Sequence, residues 1–231
     1  MRSMTSTAVA ASGGGRLVAL WQSSVGRTVL MAVTGAVLFG YVLVHMLGNL
    51  QIYLGPTKLN GYAIALKSSP GLLWTVRVVL LVSVIVHATA GITLYLAKRQ
   101  ARPIAYAKRA NIQASFASRT MLWSGIVILV FVGYHLLHLT TGTVHPQFRE
   151  GDVYENVVTG FRVIPASIAY VISMVGLGFH LQHGLYSMFG SVGVTHPRYV
   201  QGLKRFAVVA AVLIALANIS MPIAVLTGLV Q

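Results

Sequence analysis

Six of the eight histidines lie inside stretches that are apolar enough to cross a membrane: His45, His87, His135, His138, His180 and His183. Imidazole binds transition metals and can pass protons, and an ionisable side chain inside a bilayer by default indicates function. A single membrane histidine can instead form a hydrogen bond to a neighbouring helix. The positions of the six therefore have to be considered together. The other two, His145 and His196, each precede a proline in a predicted loop and are expected to be ordinary loop residues.

The elements that carry these histidines are predicted to be transmembrane helices. The 231 residues are 56% hydrophobic and 9% charged, whereas a soluble domain has about 25% charged residues. A hydrocarbon core of about 30 Å takes about 20 helical residues. Five segments are long enough: 28–50, 72–96, 120–140, 164–189 and 206–229. The sequence predicts an all-α membrane protein in which four of five transmembrane helices form an up-down bundle.

The predicted domain organisation is simple. We expect residues 1–27 to form a cytoplasmic N-terminal tail with a short interfacial stub, and residues 28–229 to form one five-helix domain. The tail is weakly apolar and the span after it has full membrane thickness, so a cleaved signal is not expected. We find no long internal repeat. The absence of cysteine excludes disulfides and thiolate ligands from this chain.

The charge distribution predicts the orientation. Basic residues collect before the first span, between the second and third, and between the fourth and fifth: Arg2, Arg16, Arg27, Lys98, Arg99, Arg102, Lys108, Arg109, Arg119, Arg198, Lys204 and Arg205. The opposite side has fewer basic residues and all three acids. By the positive-inside rule the N-terminus is cytoplasmic and the C-terminus external, as in a multi-pass protein of a bacterial inner membrane. The net charge of +14 then reflects topology, anionic lipid and acidic partners, not nucleic acid.

Depth groups the histidines into pairs. With a rise of about 1.5 Å per residue, His45 and His135 lie roughly 22–25 Å from the cytoplasmic starts of their helices. His87 and His180 lie roughly 22–24 Å from the external starts of theirs. The first two should share an outer level and the last two an inner level, about 10 Å below it.

The bundle geometry suggests a ligand for these pairs. Like-directed helices are diagonal partners in an up-down bundle, with about 12–14 Å between their axes. That gap suits two imidazoles with a metal in a flat macrocycle between them, so the two levels predict two b-type haems. A di-iron site needs inward glutamates, which the spans lack, and zinc needs three or four ligands at one depth. His138 and His183 each lie one turn from a predicted ligand and are expected to reach a haem propionate or a quinone, or to form packing and backbone contacts.

Several stretches together resemble a known family. They are "VHMLGNLQIYLGPTKLNGYAIAL" at residues 44–66, "RVVLLVSVIVHATAGI", "SFASRTMLWSGIVILVFVGYHLLHLTTGTVHP", "YENVV" and "GLGFHLQHGLYSMFGSVG". They are similar to the cytochrome b membrane-anchor subunit of succinate dehydrogenase and fumarate reductase, in its single-chain, five-helix form with two haems. The resemblance runs from about residue 22 to residue 227.

The resemblance implies the role of an electron-transfer and quinone-site subunit in respiratory complex II. A flavoprotein subunit and an iron–sulfur subunit would be its partners, in a complex that could form a higher oligomer. His87 and His180 would ligate the inner, proximal haem, and His45 and His135 the outer, distal haem. Iron held by two imidazoles has no open coordination position, so such haems transfer electrons only. Chemistry on succinate would take place in another subunit.

The quinone site and the docking face are predicted less directly. Some family members have a glutamate near the external end of the second helix, where this chain has no acid, and Arg77 is the nearest charge. Quinone or propionate candidates on the outer side are Asn49, Gln51 and His138, and on the inner side Trp21, Ser24 and Arg27. His183 is a further candidate. Trp21 and Ser24 also suit an interfacial anchor and a helix cap. Candidates for docking the iron–sulfur subunit are Arg99, Arg102, Lys108 and Arg109.

Two functions from other classes remain open at this point. The chain could be the haem b anchor of a different dehydrogenase, such as a formate dehydrogenase or a hydrogenase, in which histidines also join helices through haem. It could also be a haem-free transporter with a histidine proton relay.

Overall fold

The fold is helical throughout the residues that the structure describes. The computed structural model describes residues 13–101, 116–194 and 196–231, and this part of the chain contains no strand. Five of its helical segments are long and apolar enough to cross a membrane: Ser24–Leu54, Pro70–Gln100, Met121–Thr140, Ile164–Ser191 and Pro197–Leu226. The predicted all-α membrane fold with five spans is confirmed.

The helices follow one another with short connections. In chain order they are α1 (Gly13–Gln22), α2 (Ser24–Asn49), α3 (Pro56–Lys67), α4 (Pro70–Gln100), α5 (Phe116–Arg119), α6 (Met121–His135), α7 (Val153–Arg162), α8 (Ile164–Ser191) and α9 (Pro197–Leu226). A 3₁₀ turn, Leu50–Leu54, extends α2, and a π-helical turn, Leu136–Thr140, extends α6. Residues 1–12 of the predicted tail lie outside the described residues, and the predicted stub falls within α1.

Helix caps explain why two spans begin earlier than the hydropathy predicts. Ser23 caps α2, because its side chain accepts a hydrogen bond from the Gly26 amide at 2.9 Å. The capping role considered for Ser24 therefore belongs to its neighbour. At α9, His196 accepts a hydrogen bond from the Arg198 amide at 3.2 Å, and Pro197 occupies the first turn. Proline is favoured there because its missing N–H has no partner in a first turn anyway.

Four helices form the predicted bundle. α2 packs against α4 and α8, and α6 packs against the same two helices, so that α2 and α6 lie on one diagonal and α4 and α8 on the other. α9 packs along α8 outside this ring. Small residues let these two helices approach closely, since a Cβ atom added at Gly178 would lie 3.4 Å from Ala215 Cβ.

The two ends of the bundle differ in chemistry. The basic end, where α4 and α8 finish and α6 and α9 begin, has the charged residues Lys98, Arg99, Arg119, Arg198, Lys204 and Arg205. The cap end is covered by α3, α7 and the C-terminal residues. There the Asn60 side chain joins α3 to α7: its amide nitrogen donates to Asp152 Oδ1 at 2.9 Å and its oxygen accepts from the Tyr154 amide at 2.9 Å. Asp152 also caps α7.

Candidate functional site: four histidines at two levels of the bundle

The pair nearer the cap end consists of His45 on α2 and His135 on α6, which we call the outer pair. Their ring centroids are 5.8 Å apart and their planes meet at 84°. An aromatic ring lies one turn before each of them: Tyr41 stacks on His45 at 5.3 Å, and Phe131 packs against His135 at 5.7 Å. The structure thus brings together two histidines that the depth argument assigned to one level.

The pair nearer the basic end consists of His87 on α4 and His180 on α8, which we call the inner pair. Their ring centroids are 6.1 Å apart, with an interplanar angle of 61°. Each inner ring also lies against the diagonal helix beside it. His87 Nδ1 is 3.1 Å from the Met31 carbonyl oxygen and 3.4 Å from Thr34 Oγ1. His180 Nδ1 is 3.3 Å from Ser124 Oγ.

These contacts fix the separation of the two levels. Thr34 and Ser124 each lie eleven residues before the outer histidine of the same helix, which corresponds to about 16 Å along the axis. The expected separation of about 10 Å is therefore too small. The estimate depended on where the predicted spans begin, whereas a hydrogen bond between helices measures their register directly.

α2 and α6 carry the same short pattern at matching positions. A methionine is followed after three residues by a hydroxyl residue, next by a glycine, and ten residues later by an outer histidine: Met31, Thr34, Gly35 and His45 on α2, and Met121, Ser124, Gly125 and His135 on α6. A Cβ atom added at either glycine would lie 3.2 Å from His87 Cε1 or 3.5 Å from His180 Cε1. The Met31 carbonyl accepts a hydrogen bond from His87 Nδ1 at 3.1 Å, and the Met121 carbonyl lies beside the His180 ring. Each helix thus cradles one inner imidazole and supplies one outer imidazole.

Three of the four rings form a hydrogen bond through Nδ1, which leaves Nε2 of each ring free to bind another partner. His87 and His180 use Nδ1 as just described, and His135 Nδ1 lies 3.1 Å from the Tyr170 hydroxyl oxygen. His45 differs, because its Nε2 lies 3.1 Å from the Asn49 side-chain nitrogen. Within the described ranges no group of three or more histidines and acids converges, so the arrangement is one of pairs.

His138 belongs to a separate group of rings next to the outer pair. It lies in the π-helical turn that extends α6 and is 1% exposed. Its ring stacks between Tyr134 at 5.3 Å and His145 at 5.0 Å. Its Nδ1 is 3.1 Å from the hydroxyl oxygen of Tyr170 on α8. π-helical turns are rare and are often found at functional sites.

The prediction that His145 is an ordinary loop residue is wrong. It is 6% exposed, its Nε2 donates to the Asn156 carbonyl at 2.9 Å, and its Nδ1 accepts from the Gln147 amide at 3.1 Å. Gly160 on α7 completes the enclosure, because a Cβ atom there would lie 2.9 Å from His138 Cε1 and 3.0 Å from His145 Nε2. The loop thus folds inward over His138.

The remaining predicted residues lie at different places. Gln51 is half-buried in the 3₁₀ turn next to Asn49, and Trp21 is exposed on α1. Arg27 has a buried Nε atom for which the described residues supply no hydrogen-bond partner. His183 is half-buried on α8, three residues from His180 towards the basic end, and Arg99 lies at that end. Arg102, Lys108 and Arg109 fall outside the described residues.

Sequence reasoning missed the groups that hold the rings. Thr34 and Ser124 are single hydroxyl residues in apolar spans, and Tyr170 resembles any aromatic residue of a membrane helix. Aligning α2 with α6 on their outer histidines would have revealed the repeated methionine, hydroxyl residue and glycine. The partners of Tyr170 have no comparable signal, since three separate segments meet there.

Comparison with known proteins agrees with this architecture. Neither the curated proteins nor the solved structures gave a match. The family model described as succinate dehydrogenase/fumarate reductase transmembrane subunit matches residues 98–219, more than half of the chain, including His135 and His180. The chain therefore belongs to the family of succinate dehydrogenase/fumarate reductase transmembrane subunits.

Proposed function

We propose that the chain is the di-haem cytochrome b subunit that anchors a succinate dehydrogenase or fumarate reductase in the membrane and passes electrons between its iron–sulfur subunit and a quinone. In this proposal His87 and His180 hold an inner haem b, and His45 and His135 hold an outer haem b. The protein carries no chemistry on succinate itself. The single observation that carries the proposal is the pairing of four membrane histidines, ring to ring, at two levels of one bundle.

The spacing within each pair fits an iron atom that both histidines ligate. Iron bound at about 2 Å from one nitrogen of each ring would separate the two ring centres by about 6 Å. The centroid distances are 5.8 Å and 6.1 Å. Edge-to-face packing of two rings gives centroid distances of about 4.5–7 Å as well, so a shared metal is favoured because a histidine meets a histidine at both levels.

The hydrogen bonds around the rings also fit. A metal-bound histidine almost always donates its other ring N–H to a neighbouring group, which fixes the tautomer and orientation. His87, His135 and His180 meet this requirement through Nδ1. For His45, iron binding at Nε2 requires that the contact with Asn49 be replaced. The buried Nε of Arg27, one turn before Met31, suits an anionic group such as a propionate of the inner haem.

The protein would hold the two haems in place inside the bundle, and the haems would supply one-electron transfer. Bis-imidazole iron is coordinatively saturated, so electron transfer is the chemistry expected there. The inner pair lies towards the basic end, where Arg99 and the sequence-predicted Arg102, Lys108 and Arg109 would dock the iron–sulfur subunit. Trp21, Ser24 and His183 are the other candidates on that side. The outer pair lies under the cap, where His138, Asn49 and Gln51 are the quinone candidates.

The charge difference between the ends supports one orientation. The basic end would face the cytoplasm, with the N-terminus inside and the C-terminus outside a bacterial inner membrane. Soluble flavoprotein and iron–sulfur subunits would then meet a positively charged surface, and the membrane lipid would surround the bundle. The acids Asp152 and Glu155 would lie at the external cap.

The test is a haem count with a substrate challenge. The purified chain should contain two haems b by pyridine haemochrome and give sharp reduced low-spin bands. In membranes that hold the whole complex, succinate should reduce these bands, whereas formate or hydrogen should not. A chain without haem would refute the proposal. Haem that responds to formate or hydrogen and not to succinate would assign the chain to a different dehydrogenase.

A further inference from the structure

We infer that Tyr170 is a positioning residue that links the outer ligand His135 to His138 and determines which nitrogen of His138 carries its proton. This inference rests on the proposed function, in which His135 binds iron. It adds a residue that the proposal does not contain and gives the buried His138 a defined state.

The geometry places one hydroxyl between two imidazoles. Tyr170 Oη lies 3.1 Å from Nδ1 of His135 and 3.1 Å from Nδ1 of His138. The tyrosine is 6% exposed and its ring is held edge to face by Phe131 at 4.9 Å and by Phe161 at 4.8 Å. Packing therefore directs the hydroxyl at these two nitrogens.

The two contacts look alike, but the two histidines have different neighbours. His135 faces another imidazole, that of His45, with which it can share a metal. His138 instead lies between the rings of Tyr134 and His145. His145 already uses both nitrogens in hydrogen bonds to backbone groups. The metal therefore belongs to His135.

Ligation at His135 gives the hydrogen bonds a direction. A neutral imidazole that binds iron through Nε2 keeps its proton on Nδ1 and can only donate there. The Tyr170 oxygen accepts that hydrogen bond, and its single O–H is left for His138. Nδ1 of His138 must then offer a lone pair, so the proton of His138 lies on Nε2. The order is His135 N–H to Tyr170 oxygen, and Tyr170 O–H to His138 Nδ1.

This order makes His138 an N–H donor on the side away from Tyr170. That side faces α7, since a Cβ atom at Gly160 would lie 3.1 Å from His138 Nε2. His138 would thus present a hydrogen and not a lone pair towards the cap. The Tyr170 oxygen, in turn, increases electron donation from His135, because accepting the Nδ1 hydrogen raises the basicity of the ligand.

The first test removes the hydroxyl and keeps the ring. Tyr170→Phe should retain both haems, move the midpoint potential of the outer haem to a more positive value, and change its low-spin electron paramagnetic resonance signal. The inner haem should keep its potential and signal. Tyr154→Phe is the matched control, because this buried tyrosine at the cap donates to the Gln231 carbonyl and touches neither pair. An unchanged outer potential in Tyr170→Phe would overturn the inference.

The second test uses His138 in a chain that keeps Tyr170. His138→Gln retains an acceptor for the Tyr170 O–H, whereas His138→Leu removes it. We expect a shift of the outer potential in the leucine variant, a much smaller shift in the glutamine variant, and no additional effect of leucine in the Tyr170→Phe chain. Equal shifts with leucine in both backgrounds would mean that Tyr170 does not carry the link. If the unmodified chain holds no haem, the proposed function fails before the inference is tested.

Discussion

The imidazole rings of His45 and His135 lie edge to face with their centroids 5.8 Å apart, although ninety residues separate them in the sequence. This contact joins the two helices on one diagonal of the bundle near the cap end. The corresponding contact of His87 and His180 joins the other diagonal near the basic end. Each pair is thus built from two helices that run in the same direction.

Loss of haem should follow these pairs. His45→Ala and His135→Ala should each reduce the pyridine haemochrome count from two haems per chain to one and should remove the same spectral component. His87→Ala should remove the other component, because its ring meets only the inner level. If His45→Ala and His87→Ala removed the same component, the pairing would be wrong.

Removal of the Thr34 or Ser124 hydroxyl group should affect only the inner haem. Thr34→Val and Ser124→Ala remove a hydrogen-bond partner of His87 or His180 with little change of volume. Removing a hydrogen-bond partner of a metal-bound histidine typically lowers metal affinity roughly 10–100-fold. We expect weaker retention of the inner haem, by at most this factor because the methionine carbonyls remain, in titrations of haem loss to a competing haem-binding protein. Thr34→Ser should restore retention, and the outer haem serves as the control within each molecule.

Substitutions of His135, the last residue of α6, and of His138, in the turn that follows, should give different haem counts. His135→Gln should lose the outer haem, because an amide is a poor iron ligand. His138→Gln keeps a donor and an acceptor of similar reach and does not touch a ligand, so the haem count should stay at two. Quinone turnover should fall, because His138 is one of the quinone candidates. One haem in the His138 variant together with two in the His135 variant would reverse the assignment.

Gly160 should be required for the enclosure of His138. An alanine Cβ there would approach His138 and His145 at 2.9–3.0 Å, and overpacking of this kind costs typically about 1–3 kcal/mol. Gly160→Ala should lower the melting temperature and shift the outer haem spectrum. The control is Gly61→Ala on α3, where an added Cβ atom has no neighbour within 4 Å among the described residues. Equal melting temperatures for the two variants would contradict the close contact.

The basic end should dock the soluble subunits. Replacing Arg99, Arg102, Lys108 and Arg109 by glutamate should release the flavoprotein and iron–sulfur subunits during purification while both haems remain, because like charges would then face the docking partner. Charge reversal of Lys58 and Lys67, which lie on α3 at the cap end, should leave the complex intact. Cleavage of the connection between α4 and α5 by protease added only from outside would refute the orientation.

The sequence by itself determined the spans and the membership of the pairs. Apolar length identifies a transmembrane helix because backbone groups in lipid must be satisfied within the helix. Once the spans are known, a constant rise per residue assigns each histidine a depth, and helix direction alternates. For that reason His45 could be matched with His135, and His87 with His180, without coordinates.

The tertiary structure decided how the rings are held and what encloses them. Thr34, Ser124 and Tyr170 reach their histidines across helix contacts, so their roles depend on the rotation of each helix about its axis, which depth does not fix. His145 was misjudged because burial of a loop is set by the segment that packs on it, here α7 at Gly160. Contacts between distant segments contribute small energies individually. Apart from the pattern that α2 and α6 share, they leave little mark on local sequence, so the partners of Tyr170 and the burial of His145 are revealed only by the folded chain.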